Sequence, residues 1–178
     1  MKIFNKTLSA LFTACFIAGA ITENADARFL FHATRKAFAP KIAKGGFKAA
    51  KMNPRARFGR QIYFADKAKT AMKEKPSADA LMRFRKSRLF EKRILDTTQF
   101  SKSSLKRISG LKDMRGTVRN GVIGPKLGHK IGEYAGKTQL IVKYRSARYK
   151  AGKVYALPPS LYRQHSRIVR PVRSTEVR

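Results

Sequence analysis

One short stretch of this chain holds an imidazole at His32, guanidinium groups at Arg57 and Arg60, a phenol at Tyr63 and a carboxylate at Glu74. The surrounding residues read Phe31-His32-Ala33-Thr34, then Gly45-Gly46-Phe47, then Arg57-Phe58-Gly59-Arg60-Gln61-Ile62-Tyr63-Phe64-Ala65-Asp66. These side-chain types suit a nicotinamide dinucleotide, which offers a flat ring, ribose hydroxyls and a pyrophosphate. Tyr63 could stack on the ring, His32 could hydrogen-bond a ribose hydroxyl, and Arg57 or Arg60 could meet the phosphates as forked donors. Breaking the bond between nicotinamide and ribose develops positive charge on the sugar, which a nearby carboxylate stabilises. Glu74 is the favoured acid, and Glu133 is the second candidate. His129 and His165 stand alone, and nothing near them has metal-ligand spacing, so no metal is expected.

These groups need a sheet to position them. Residues 28–32 and 61–65 read as short aromatic strands. A helix is expected over residues 37–44, with Phe38 and Ile42 inward and the glycine pair as its stop. A second is expected from an Asp66 cap through Lys75, with Ala68, Ala71 and Met72 on its inner face. Residues 80–85 and 88–95 read as strands around Lys86-Ser87, with a charged helix as the alternative that the pattern also allows. Residues 101–111 read as a helix with Leu105, Ile108 and Leu111 inward, and residues 116–136 are glycine-rich and weakly patterned. A hairpin is expected from residues 138–144 and 153–157, followed by an edge strand over 167–172. The sum is an α+β domain: a split, mixed or antiparallel sheet with short flanking helices.

Residues 1–27 read as a secretory signal, because Lys2 and Lys6 precede an apolar run over 8–21 that ends near Ala25-Asp26-Ala27. That run falls short of the roughly 20 apolar residues a lasting membrane span needs. The expectation is a secreted or periplasmic protein whose residues 28–178 form one monomeric domain. The only cysteine, Cys15, falls in the leader, so the domain must rest on packing, to which nine of the twelve Phe and all six Tyr contribute.

Forty-one Lys and Arg against ten Asp and Glu give a formal charge of +31. Self-repulsion on that scale disfavours a compact state, and an anionic partner relieves it. The basic residues run along the whole chain rather than in a tail, and no zinc-finger spacing or RNA-binding motif is present, so base-specific reading is not expected.

The quoted motifs resemble the front half of the ADP-ribosyltransferase superfamily, of the diphtheria-toxin and poly(ADP-ribose) polymerase type. The resemblance implies NAD as substrate, with His32 and Thr34 in the ribose-binding motif and Tyr63 stacked on nicotinamide. Ala33 stands where that family usually has glycine. Its third residue is a glutamate opening a later strand, and the matching position here is Gln139, which is not an acid. A related branch, the RES-type NAD-degrading toxins, is similar in carrying an arginine, a tyrosine strand, a glutamate on the next helix and a late serine. That resemblance implies Glu74 as the catalytic acid and Arg57, Tyr63 and Ser146 as substrate contacts. Two functions follow as expectations. One is an exported ADP-ribosyltransferase or NAD glycohydrolase, a toxin or effector working inside another cell, with an anionic protein or nucleic-acid target and an acidic immunity protein as partners. The other is an inactive module of the same fold whose basic surface binds nucleic acid or an anionic envelope.

Overall fold

The computed structural model describes residues 28–149 and 151–176. The expected leader, residues 1–27, lies outside the described residues. The chain runs β1 (Phe29–Thr34), α1 (Ala39–Gly45), β2 (Ile62–Ala65), α2 (Ala68–Glu74), β3 (Ala80–Lys86), α3 (Arg88–Lys92), β4 (Ile94–Asp96) and α4 (Lys102–Ser109). It continues through β5 (Val118–Arg119), β6 (Val122–Ile123), α5 (Pro125–Thr138), β7 (Ile141–Arg145), β8 (Lys153–Leu157), α6 (Pro159–Gln164) and β9 (Val169–Glu176). Seven strands form one sheet in the order β4-β7-β8-β2-β1-β3-β9, and β5 with β6 makes a separate hairpin. Among the described residues, only β4 and β7 pair in parallel. The fold is therefore mixed α+β on a mostly antiparallel sheet.

Alternation sorts the strands into two buried faces. Leu30, Ile62, Phe64, Met82, Phe84, Ile141, Tyr155 and Leu157 pack together on one of them. Val142, Tyr144, Val154 and Ala156 face the other way, against Phe58 and the inner residues of α5. The sheet thins at its middle: β1 and β3 share six residue pairs, whereas β1 and β2 share only Phe31 with Ala65. Across that thin junction His32 Nδ1 donates to the carbonyl of Tyr63 at 2.8 Å. A carbonyl can only accept, so the proton sits on Nδ1.

The structure corrects several expectations. Phe38 is exposed, and α1 starts at Ala39, which is buried in its place. Asp66 does not cap α2; its carboxylate accepts from the Lys153 backbone N–H on β8. Residues 88–92 are helical because neighbouring Leu89 and Phe90 both pack on the same core, which a strand would send to opposite faces. The weakly patterned segment holds α5, the longest helix described, with Leu127, Ile131 and Ala135 recurring every fourth residue on its buried side. Consequently the late strand begins at Ile141 rather than at residue 138.

Candidate active site

Glu74 closes α2, and Ser146 follows the last residue of β7, on the face that already carries Val142 and Tyr144. The Ser146 hydroxyl accepts from the backbone N–H groups of Arg148 (3.2 Å) and Tyr149 (2.9 Å) and donates to Glu74 Oε1 at 2.5 Å. Ser146 is 1 % exposed, so this bond is shielded from water. No other side-chain hydrogen bond or ion pair holds Glu74 among the described residues, so its second oxygen, Oε2, is not engaged by Ser146.

A glycine permits this meeting. Gly152 accepts from the Ser146 N–H and lies directly against Thr70, one turn before Glu74 on α2. A Cβ at position 152 would stand 2.3 Å from Thr70 Oγ1 and 2.5 Å from its Cγ2. Only a residue without a side chain lets the loop after β7 come this close to the helix.

Arg57 is placed by α5 in a similar way. A Cβ at Gly128 would lie 2.3 Å from the Arg57 carbonyl, and one at Gly132 would lie 2.2 Å from that of Phe58. The bare side of the helix thus presses on the backbone that carries Arg57. The Arg57 Cζ stands 5.7 Å from the centre of the Tyr144 ring, and Nη1 is buried with no hydrogen-bond partner. A desolvated guanidinium N–H without an acceptor is costly, and an anion would satisfy it.

Tyr63 closes the same turn, accepting from the Phe58 N–H and donating to the Gly59 carbonyl, both at 3.0 Å. Its hydroxyl is committed to the loop, while its ring packs against the cluster that includes Tyr144. Burial pushes the Tyr63 phenol up to about 12, opposed by the Phe58 N–H and the Arg57 charge. Burial also raises Tyr144 well above the ordinary value, helped by Tyr63 and the Glu74 charge and opposed by Arg57. Tyr144 therefore feels the carboxylate and the guanidinium together. Sequence reasoning gave it no role, although its two-residue spacing from Ser146 on one strand was the available signal.

The other expected residues lie elsewhere. His32 shares its face with Leu30 and Phe64, its ring 5.0 Å from that of Phe47. Tyr63 projects from the opposite face, so the two do not meet in one cleft. Burial lowers His32 to about 4; the Tyr63 carbonyl works against this shift, and Lys75 adds to it. Thr34 is buried at the end of β1, two residues beyond His32. Arg60 is exposed. Glu133 is exposed on α5 and pairs with Lys130 at 2.9 Å. Gln139 does not open a strand. It ends α5 in a left-handed conformation, and its amide donates to the Gly136 carbonyl (2.7 Å) and to Ser160 Oγ (2.9 Å). A carboxylate there would set acceptor against acceptor, so the amide has a structural reason.

Two surface clefts are lined by residues outside this cluster, one beside α4 and one where β3, α3 and β9 converge. Among the described residues no helix is long and apolar enough to cross a membrane. Of the expected site residues, Glu74 and Ser146 are brought into contact, and Arg57 stands beside the Tyr144 ring. No protein-family model matches the chain, and no curated protein matches its sequence.

Proposed function

We propose that this chain is an exported enzyme that breaks the bond between nicotinamide and ribose in NAD and passes the ADP-ribose to an acceptor or to water. The observation that carries the reading is the Glu74 carboxylate, fixed through one oxygen by Ser146, with its charge acting on Tyr144, the ring beside which Arg57 holds an unpartnered nitrogen. In this reading Arg57 takes the diphosphate, and the Tyr63 and Tyr144 rings form an apolar wall beside the sugar and nicotinamide. The glycosidic bond breaks with its electron pair leaving on nicotinamide, and Glu74 Oε2 faces the positive charge that grows at the ribose carbon. Ser146 keeps that carboxylate from rotating away.

The order arginine, tyrosine strand, helical glutamate, late serine supports the RES-type branch of the resemblance. The thinning of the sheet between β1 and β2 supports the split-sheet, ADP-ribosyltransferase-like architecture. His32 has no part in the chemistry proposed; it bridges the two halves of the sheet. The test is nicotinamide release from NAD by purified protein. Wild type is expected to release it, and Glu74→Gln to be slower by about a hundredfold or more, the range for a positioned carboxylate. Glu133→Gln is expected to match wild type. Equal rates for wild type and Glu74→Gln, or no release by either, would overturn the proposal.

A further inference from the structure

A concentration of unpaired positive charge lies away from Glu74. Arg85 and Lys86 end β3, Arg88 opens α3, and Arg167 and Arg170 come from the approach to β9 and from β9 itself. With Ser87, His165 and Ser166 they line a cleft of about 630 Å³. No carboxylate lines it. Glu91, the nearby acid, is held by Lys86 at 2.6 Å, which leaves the four arginines without an ion-pair partner among the described residues.

Two further features need explanation. Arg85 and Arg170 stand directly opposite each other on β3 and β9. Like charges at paired cross-strand positions destabilise a sheet. Charge on an edge strand can serve to block pairing with other chains, but that role asks nothing of Arg88 and Arg167, which come from other elements. It also leaves the second feature untouched: Ser87 Oγ is buried beside the cleft with no hydrogen-bond partner and makes no capping bond to α3. Forked donors converging from three elements, with a hydroxyl donor between them, match a tetrahedral phosphate better than a planar carboxylate.

We infer that this cleft binds the phosphodiester backbone of a nucleic acid without reading its sequence. None of the lining residues is Phe, Tyr or Trp, and His165 is the one ring on which a base could stack, so the contact falls mainly on phosphate. A lipid surface is the poorer match. Among the described residues the only large apolar side chains left exposed are Phe38 on the approach to α1 and Val172 on β9, too few to enter a bilayer. The inference does not depend on Glu74 or on NAD cleavage.

Fluorescence anisotropy of a labelled single-stranded oligonucleotide of about twelve nucleotides, titrated with the full protein at several salt concentrations, tests it. Arg85→Ala with Arg167→Ala is expected to weaken binding about tenfold or more. It is also expected to lower the slope of log affinity against log salt by about 1.4, since two single-strand phosphate contacts are lost. Lys41→Ala with Lys44→Ala on α1 removes the same charge and is expected to cost less than about threefold. Ser87→Ala should weaken binding by about threefold while leaving the slope unchanged, because no charge is lost. Thermal melts of each variant separate binding loss from unfolding, and Arg85→Gln with Arg167→Gln replaces the alanine pair if it unfolds. Equal weakening by the two charge-removing pairs would overturn the site. So would a wild-type protein that ignores the oligonucleotide but binds anionic vesicles or polyglutamate.

Discussion

Ser146 donates to Glu74 across 72 residues of sequence, and the 2.5 Å bond is part-buried where β7 ends beside α2. Nothing local requires it. Glu74 is half-buried and has access to water, and a glutamate in the last turn of a helix sits at the unfavourable end of the helix dipole. Ser146→Ala is expected to slow nicotinamide release by about tenfold or more, because the carboxylate loses its orienting donor. It is also expected to destabilise the fold by about 1–3 kcal/mol, since the Arg148 and Tyr149 N–H groups lose their acceptor. Kinetics and a denaturant melt of the one variant measure both, and an unchanged rate would remove Ser146 from the site.

Gly152 should matter for the same reason. Gly152→Ala drives a methyl group into Thr70, and the loop carrying Ser146 must lift off α2. Overpacking of this kind costs about 1–3 kcal/mol. The expected result is lower activity with little change in KM. Thr70→Ala in the Gly152→Ala background should recover part of the loss by opening the space.

His32 gives the fold a pH dependence. Its folded value of about 4 lies below the ordinary 6.5, so between these values the unfolded chain binds more protons than the native one. Stability from this group is whole above pH 6.5 and is lost as the pH falls toward 4, by about 3 kcal/mol in all. The melting temperature should therefore drop between pH 7 and pH 4.5. Asp96, which Lys143 and Thr98 hold below the usual carboxylate range against an opposing burial effect, loses its contribution only at still lower pH. His32→Gln keeps a donor for the Tyr63 carbonyl without titrating, and its melting temperature should be flat over that interval.

Helix α5 should resist the substitution that usually strengthens helices. Glycine to alanine in a helix interior gains about 1 kcal/mol of propensity. At Gly128 or Gly132 the new methyl would meet a backbone carbonyl at 2.3 or 2.2 Å. Each variant should lose stability, by about 1–3 kcal/mol net. Gly136, with nothing within 4 Å, should tolerate alanine or gain from it. Chemical melts of the three variants read the contrast directly.

The sequence was legible where pattern and local geometry agreed. The aromatic strands at β1 and β2, the serine-capped helix α4 and the β7–β8 hairpin all follow from alternation, capping and turn residues. Helix α5 lies in the segment that reads as glycine-rich and weakly patterned, because its glycines dilute the apolar periodicity. The spacing of four between Gly128 and Gly132, in step with Leu127, Ile131 and Ala135, marks a face pressed on backbone. The shared cleft for His32 and Tyr63 failed on parity. Pairing of Phe31 with Ala65 sets His32 and Tyr63 on opposite faces of the sheet, and register across strands is not written in either segment. The nearness of Glu74 and Ser146 depends on Gly152 meeting Thr70, a contact between elements that only the folded chain brings together.

The most direct measurement is a crystal structure of Glu74→Gln with NAD bound, in which slow turnover preserves the substrate. The expected result places the diphosphate on Arg57, the nicotinamide ribose against the side chain at position 74, and the rings of Tyr63 and Tyr144 beside the sugar and base. A dinucleotide bound instead on the His32 face, or in the cleft of Arg85 and Arg170 with the Glu74 cluster empty, would contradict the account.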